Sequence, residues 1–292
     1  MEMHKPSRTA MNAAMWRAAH ALLDDEPKIL IDPLARAFAG FDSDEALVAA
    51  HNAHPAAHVP GIRTPFAVRN RYAEDELAEA VGRGIGQYVL LGAGLDSFAY
   101  RRPVPMHALD VYEVDYPATQ AWKRARVAEL GIEPPPGLHY VPLDFERKTL
   151  TEALSVAGFR RGEGAFFSWL AVNVYLTREA VEATLAEVAA LAAPGGALVL
   201  DFVLPVSVLD AEDAATITTF ATNSAKFGEP LLSFFEPAEM EAVLRRAGFA
   251  SVAHFGPEEA HARYLRGRTD GSRTFVFHRM AKATAGSTPA GG

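Results

Sequence analysis

The chain has 292 residues, 49% hydrophobic and 22% charged, enough to bury a large core in one α/β domain with appendages. A formal charge of −8, from 36 acidic against 28 basic residues, argues against nucleic acid as the main partner, because such binding rests on neutralising phosphates. Zero cysteines exclude disulfides, thiolate metal sites and cysteine nucleophiles. With no long apolar run, and no apolar leader behind Met1-Glu2-Met3-His4-Lys5-Pro6, the expectation is a cytoplasmic protein that neither spans a membrane nor is exported.

From Ser7 to Asp24, apolar residues at Met11, Met15, Ala18, Ala19 and Leu22 have helical spacing, with Ser7 or Thr9 as cap. Ile31-Asp32-Pro33-Leu34 leads into short helical pieces punctuated by Pro55, Pro60 and Pro65, and a longer helix is predicted from Thr64 to Val81. Residues 1–82 thus read as a helical cap. His51, His54 and His58 lie within it; Pro55 breaks the helix that would align them, and no carboxylate stands among them, so they read as polar loop residues and no metal is expected.

Beyond residue 83 short apolar strands alternate with helices, the pattern of a largely parallel sheet covered on both faces. Seven strands are predicted: Gln87–Leu91, Asp110–Val114, His139–Leu143, Ala165–Leu170, Ala197–Val203, Ala250–Phe255 and Arg273–Met280. Helices are predicted at Pro117–Leu130, Thr149–Val156, Arg178–Leu191 and Pro237–Ala247. The fold class is α/β, Rossmann-like, with the core over 83–282. About thirty residues from Pro205 to Phe235 are too many for an ordinary connection and read as a helical insert over the strand ends, a lid. The tail 283–292, rich in small residues, has nothing to bury and is expected to be disordered.

The first strand stops at Gly92-Ala93-Gly94, where two glycines allow a sharp turn and a close approach of backbone to ligand. A dinucleotide site would want a third glycine where Ser97 stands. Acids follow in series: Asp115 ends the second strand and Asp144 ends the third. In an open parallel sheet ligands bind beyond the carboxyl ends of the strands, so this set suits a nucleoside, one carboxylate taking the ribose hydroxyls and the other the adenine amino group beside Phe145. Each acid has a second reading as a helix N-cap.

Ser7-Arg8-Thr9-Ala10 with Arg17-Ala18, Asp32-Pro33-Leu34-Ala35, Val68-Arg69-Asn70-Arg71-Tyr72, Leu91-Gly92-Ala93-Gly94-Leu95-Asp96-Ser97, Tyr112-Glu113-Val114-Asp115-Tyr116-Pro117 and Val174-Tyr175-Leu176-Thr177 together resemble the leucine carboxyl methyltransferase-like family, over nearly the whole chain. The resemblance implies a class I S-adenosylmethionine-dependent methyltransferase that transfers to oxygen. It implies that Arg69 pairs with the methionine carboxylate, that Gly92, Ala93 and Gly94 approach the cofactor, that Asp115 holds ribose, and that Asp144 and Phe145 hold adenine. Two positions depart from the pattern: Leu170 replaces an acid after the fourth strand, and His20 replaces an acid of the first helix, which leaves Arg17 without an intra-helix partner.

Displacement at a sulfonium asks mainly for alignment and exclusion of water; an ionised carboxylate needs no base, whereas a phenol or alcohol gains from one. Tyr175 and Asn173 are the candidate acceptor-side residues, with a structural Tyr175 as the other reading. The acceptor is expected to be a small molecule bearing a carboxylate or hydroxyl. A protein C-terminal carboxylate is the alternative acceptor; an NAD-dependent oxidoreductase and a non-catalytic binding protein are the alternatives of other kinds. The oligomeric state is not encoded in any legible feature.

Overall fold

In the computed structural model, residues 7–144, 148–192 and 194–286 are described. The seven-stranded sheet consists of β1 (Gln87–Leu91), β2 (Asp110–Asp115), β3 (Leu138–Pro142), β4 (Ala165–Trp169), β5 (Ala197–Val203), β6 (Phe249–Phe255) and β7 (His278–Ala285), in the order β3-β2-β1-β4-β5-β7-β6. The first five strands pair in parallel, while β7 lies antiparallel between β5 and β6. The order reverses between β1 and β4, and a crevice opens there at the carboxyl ends of the strands.

Burial on both faces explains the unbroken apolar runs. Val89 and Leu91 of β1 join one cluster with Phe167, Trp169 and Leu200, whereas Tyr88 and Leu90 join another with Phe166 and Val199. Side chains alternate across a strand, so a run apolar at every position feeds two cores.

The N-terminal elements are α1 (Arg8–Leu23), α2 (Ala35–Phe38), α3 (Asp44–Ala53) and α4 (Thr64–Gly82). Ser7 caps α1, its Oγ accepting from the Ala10 amide at 3.1 Å, and Pro65 stands in the first turn of α4, where a missing N–H costs nothing. Then follow α5 (Phe98–Arg101), α6 (Pro117–Glu129), α7 (Leu150–Val156), α8 (Arg178–Ala192), α9 (Ala211–Lys226), α10 (Pro237–Ala247) and α11 (Pro257–Ala260). Gly248, at φ +114°, ends α10 in the left-handed conformation that glycine tolerates best. Among the described residues, no helix is long and apolar enough to cross a membrane.

Two boundaries correct the sequence reading. The last strand begins at His278, not Arg273, because Phe275 and Phe277 turn their stacked rings, 4.9 Å apart, into a cavity wall before pairing starts. It also runs further: Thr284 pairs with Ala197 and Ala285 with Phe249, so the tail is ordered through those residues. Residues 287–292 lie outside the described residues. The insert holds one main helix, α9, capped by Asp210, whose Oδ1 accepts from the Asp213 amide at 2.9 Å. Of its apolar residues, Phe235 is fully buried, while Phe227 and Leu232 are 47% and 51% exposed.

Candidate active site

A cavity of about 720 Å³ occupies the crevice, bounded by α1, α4, the turn after β1, the ends of β2 to β5, α9 and the approach to β7. This is the size range of small-molecule sites. The turn Gly92-Ala93-Gly94 forms its floor. Gly92 and Gly94 have φ of +67° and +51°, and the amides of Gly92 and Ala93 both donate to the Val114 carbonyl, at 2.8 and 3.0 Å. A Cβ at Gly92 would lie 2.2 Å from Val172 Cγ2, and one at Gly94 would lie 3.3 Å from Ala10 Cβ on α1.

Ser97, in place of a third glycine, is fully buried and donates from Oγ to Asp32 Oδ1 at 2.5 Å. Arg17, which lacks an acid on its own helix, finds one in Asp32: Nε donates to Oδ2 at 3.1 Å, while Nη2 donates to the Leu95 carbonyl at 2.7 Å. Burial opposes ionisation of Asp32, but Arg17 and Arg101 outweigh it and hold the carboxyl below its ordinary range. His20 instead pairs with Asp24, at 2.6 Å. The family-like residues Arg17, Asp32 and Ser97 thus knot the cap to the turn.

Asp115 closes β2. Its Oδ2 accepts from the Gly94 amide at 2.5 Å and its Oδ1 from the Tyr116 amide at 2.7 Å, and each oxygen keeps a lone pair for the cavity. Burial pushes its pKa up to about 6 against the pull of those two amides. Asp144 and Leu170 line the same cavity, as does Ala93; Phe145 lies outside the described residues. Leu170 stands just beyond β4, which ends at Trp169.

Arg69 enters from α4 and is 7% exposed. Its Nη1 lies 3.7 Å from Asp201 Oδ2, its guanidinium sits 4.7 Å above the Phe66 ring, and its buried Nε has no hydrogen-bond partner among the described residues. Such an atom wants an acceptor. Asn70 beside it donates from Nδ2 to Asp96 Oδ2 at 2.8 Å, and Lys123 donates to the Asp96 carbonyl at 2.6 Å.

Beyond the turn, Trp16, Phe66, Phe220, Phe275 and Phe277 give the cavity aromatic walls. The phenol of Tyr175 reaches in among Ser224, Thr9 and Glu229, and burial raises its pKa. Asn173 lines the cavity but is 1% exposed; its Nδ2 donates to the Asp201 carbonyl at 2.5 Å and its own carbonyl accepts from Ser233 Oγ at 2.8 Å. Asp201 and His278, which sequence reasoning passed over, also line it, with Nε2 of His278 2.9 Å from Asp201 Oδ2. A lone acid inside the apolar run Ala-Leu-Val-Leu-Asp-Phe-Val was the legible signal, since a buried carboxylate needs partners. Of the cap histidines, His54 lines the cavity, edge-on to Trp16 at 4.9 Å, and His51 is 3.1 Å from Arg63 Nη1. Among the described residues, no group of three metal-type side chains could hold an ion.

The leucine carboxyl methyltransferase family profile matches residues 10–189. YktD of Bacillus subtilis, described as a candidate S-adenosyl-L-methionine-dependent methyltransferase, is 32% identical over 212 residues, covering 73% of this chain and 69% of its own. A Mycobacterium avium protein described in the same terms is 32% identical over 294 residues, with 94% and 88% covered. Among solved structures, a candidate methyltransferase from Thermobifida fusca superposes with a TM-score of 0.58 at 17% identity, over 86% of this chain and 93% of that one. A DUF574 family protein from Streptomyces avermitilis gives 0.57 at 15% identity, over 94% and 97%. These two share the fold. The profile and the sequence relatives together place the chain in the leucine carboxyl methyltransferase family, as an S-adenosylmethionine-dependent methyltransferase.

Proposed function

We propose that the enzyme methylates oxygen on a small acceptor bearing a hydroxyl or carboxylate. One observation carries this reading: a single cavity runs from the glycine turn to the aromatic walls, joining space for a nucleoside to space for a compact acceptor. S-adenosylmethionine, when bound, supplies an electrophilic methyl group on sulfonium sulfur. The residues present fit it. The orphaned Nε and the buried guanidinium of Arg69 suit a carboxylate, Asp115 offers two acceptor oxygens for hydroxyls, and the Gly92-Ala93-Gly94 turn leaves no side chain in the way. Asp144 and Leu170 would border the base, Asp144 taking its amino group and Leu170 contributing an apolar flank.

In this reading Asn173 is a positioning residue, because its amide is spent on the Asp201 carbonyl and pins the segment after β4 to β5. Tyr175 would touch the acceptor, its phenol kept neutral and able to donate. α9 and the following residues 227–235 would act as a lid, with Phe220 facing inward. The test uses labelled S-adenosylmethionine with three acceptor sets: aromatic and aliphatic alcohols, small carboxylic acids, and peptides ending in a free leucine carboxylate. Methyl ethers or esters of the small acceptors are expected. Label confined to the peptides, or transferred to nitrogen or carbon, would overturn the reading.

A further inference from the structure

The cavity wall holds a histidine–carboxylate pair that cofactor binding leaves unused. Asp201 of β5 and His278 of β7 are diagonal neighbours on one face, since Asp201 pairs with Met280 and Val203 with His278. The Asp201 carboxylate is locked from three sides: His278 Nε2 at 2.9 Å and Arg69 Nη1 at 3.7 Å on Oδ2, and the Ala171 amide at 2.6 Å on Oδ1. Ala171 makes that bond from φ +55°, a left-handed conformation that a residue with a Cβ adopts at a cost, the kind of strain that gathers at working sites. Burial opposes ionisation of Asp201, but His278 and Arg69 outweigh it, so it remains a carboxylate. A carboxylate can only accept; the hydrogen therefore sits on Nε2, and Nδ1 presents a lone pair with no hydrogen-bond partner among the described residues.

We propose that His278 is the general base of the transfer and that the acceptor is a neutral aromatic hydroxyl, not a carboxylate; this deepens, and rests on, the oxygen-transfer reading. Two further observations support it. The described residues lining the cavity include five acids, Asp96, Asp115, Asp144, Asp201 and Glu229, against two arginines, Arg17 and Arg69. Arg17 is committed to Asp32, and Arg69 lies on Asp201 and is assigned to the cofactor, so an anionic acceptor would meet like charge with no cation of its own. The walls of Trp16, Phe66, Phe220, Phe275 and Phe277 suit an aryl ring. A phenol, with a pKa near 10, is where a base matters.

The step balances. The acceptor's O–H proton passes to Nδ1, its oxygen bonds to the methyl carbon that the cofactor supplies, and the pair from the broken C–S bond stays on sulfur. The product is an aryl methyl ether, and the imidazolium, held by Asp201, later releases its proton to water. Arg69 from α4 faces the Asp201 carboxylate, and Arg69 is in turn within electrostatic reach of Arg17 from α1, Tyr175 after β4 and Asp96 after the glycine turn.

The test compares wild type with His278→Gln, which keeps a donor for Asp201 but offers no base. With the intact protein, calorimetry should give S-adenosylhomocysteine affinity within about threefold. Turnover of unsubstituted phenols at neutral pH should fall about 100-fold or more. The loss should shrink for nitrophenols, which ionise unaided. Long-range proton–nitrogen correlation spectra of the wild type should show the Nε2–H tautomer at His278. An Nδ1–H tautomer, or unchanged phenol turnover in the variant, overturns the assignment. Methylation of carboxylic acids alone overturns the acceptor class and leaves oxygen transfer standing; no oxygen acceptor at all removes both.

Discussion

Gly92→Ala tests whether the glycine turn after β1 and the segment after β4 are one packed unit. The residue sits at φ +67°, and a non-glycine residue in that region costs about 1–2 kcal/mol. The added methyl would also meet Val172 Cγ2 at 2.2 Å and its Cβ and Cγ1 at 3.2 Å, well inside contact distance. Overpacking of that kind costs roughly 1–3 kcal/mol, so the single variant should lose about 2–5 kcal/mol in all. Val172→Ala removes both γ carbons, leaving only the 3.2 Å contact to Cβ. The double variant should therefore lie about 1–3 kcal/mol above the sum of the singles. Urea unfolding followed by circular dichroism measures the cycle, and S-adenosylhomocysteine titration should follow the same order. If the two substitutions add within about 0.5 kcal/mol, the turn and Val172 are not in contact and the packing argument fails.

Asp115→Ala should weaken S-adenosylmethionine binding by about 1.5–3 kcal/mol, the scale of a hydrogen bond to a charged group, and an unchanged calorimetric affinity would remove the ribose assignment. Because burial pushes the Asp115 pKa up to about 6, the accepting form is complete well above that pH and is lost as pH falls through it. Wild-type affinity should drop on that limb, and Asp115→Asn should flatten it. Arg69→Lys should restore only part of the affinity lost in Arg69→Ala, because an ammonium cannot match the two-pronged grip of a guanidinium; equal binding by Lys and Arg would exclude that geometry.

The sheet was legible because its strands are short apolar runs bounded by glycine and proline, as in Gln87–Leu91 before Gly92 and Ala197–Val203 after Gly195-Gly196. Phe275 and Phe277 look like strand residues by composition, yet their rings serve the cavity, and local pattern does not distinguish a sheet face from a pocket wall. The positions of the glycine turn and Asp115 were readable because glycines and an acid stand where apolar strand runs stop, and the structure brings them together along one cavity. The Asp201–His278 pair was not, since its partners lie 77 positions apart and meet only because the last strand threads back between β5 and β6. The partner of Arg17 was hidden for a similar reason: Asp32 lies in an irregular stretch, where no periodicity predicts which way a side chain points.

Asp32 has a consequence for how the molecule comes apart. Its carboxylate is bonded at once by Arg17 from α1, by Ser97 at the foot of the turn and by its own neighbour Ala35, with Arg101 3.6 Å away. Peeling the helical layer away would strand Ser97 and Arg101 in a surface built to be sealed, and uncapping a buried charge is among the costliest single losses a fold can take. The change of pattern near residue 83, from helices to alternating strands and helices, is thus a seam in the sequence but not in the solid. The loop expected to cradle the nucleoside should melt with the helices above it, as one cooperative block.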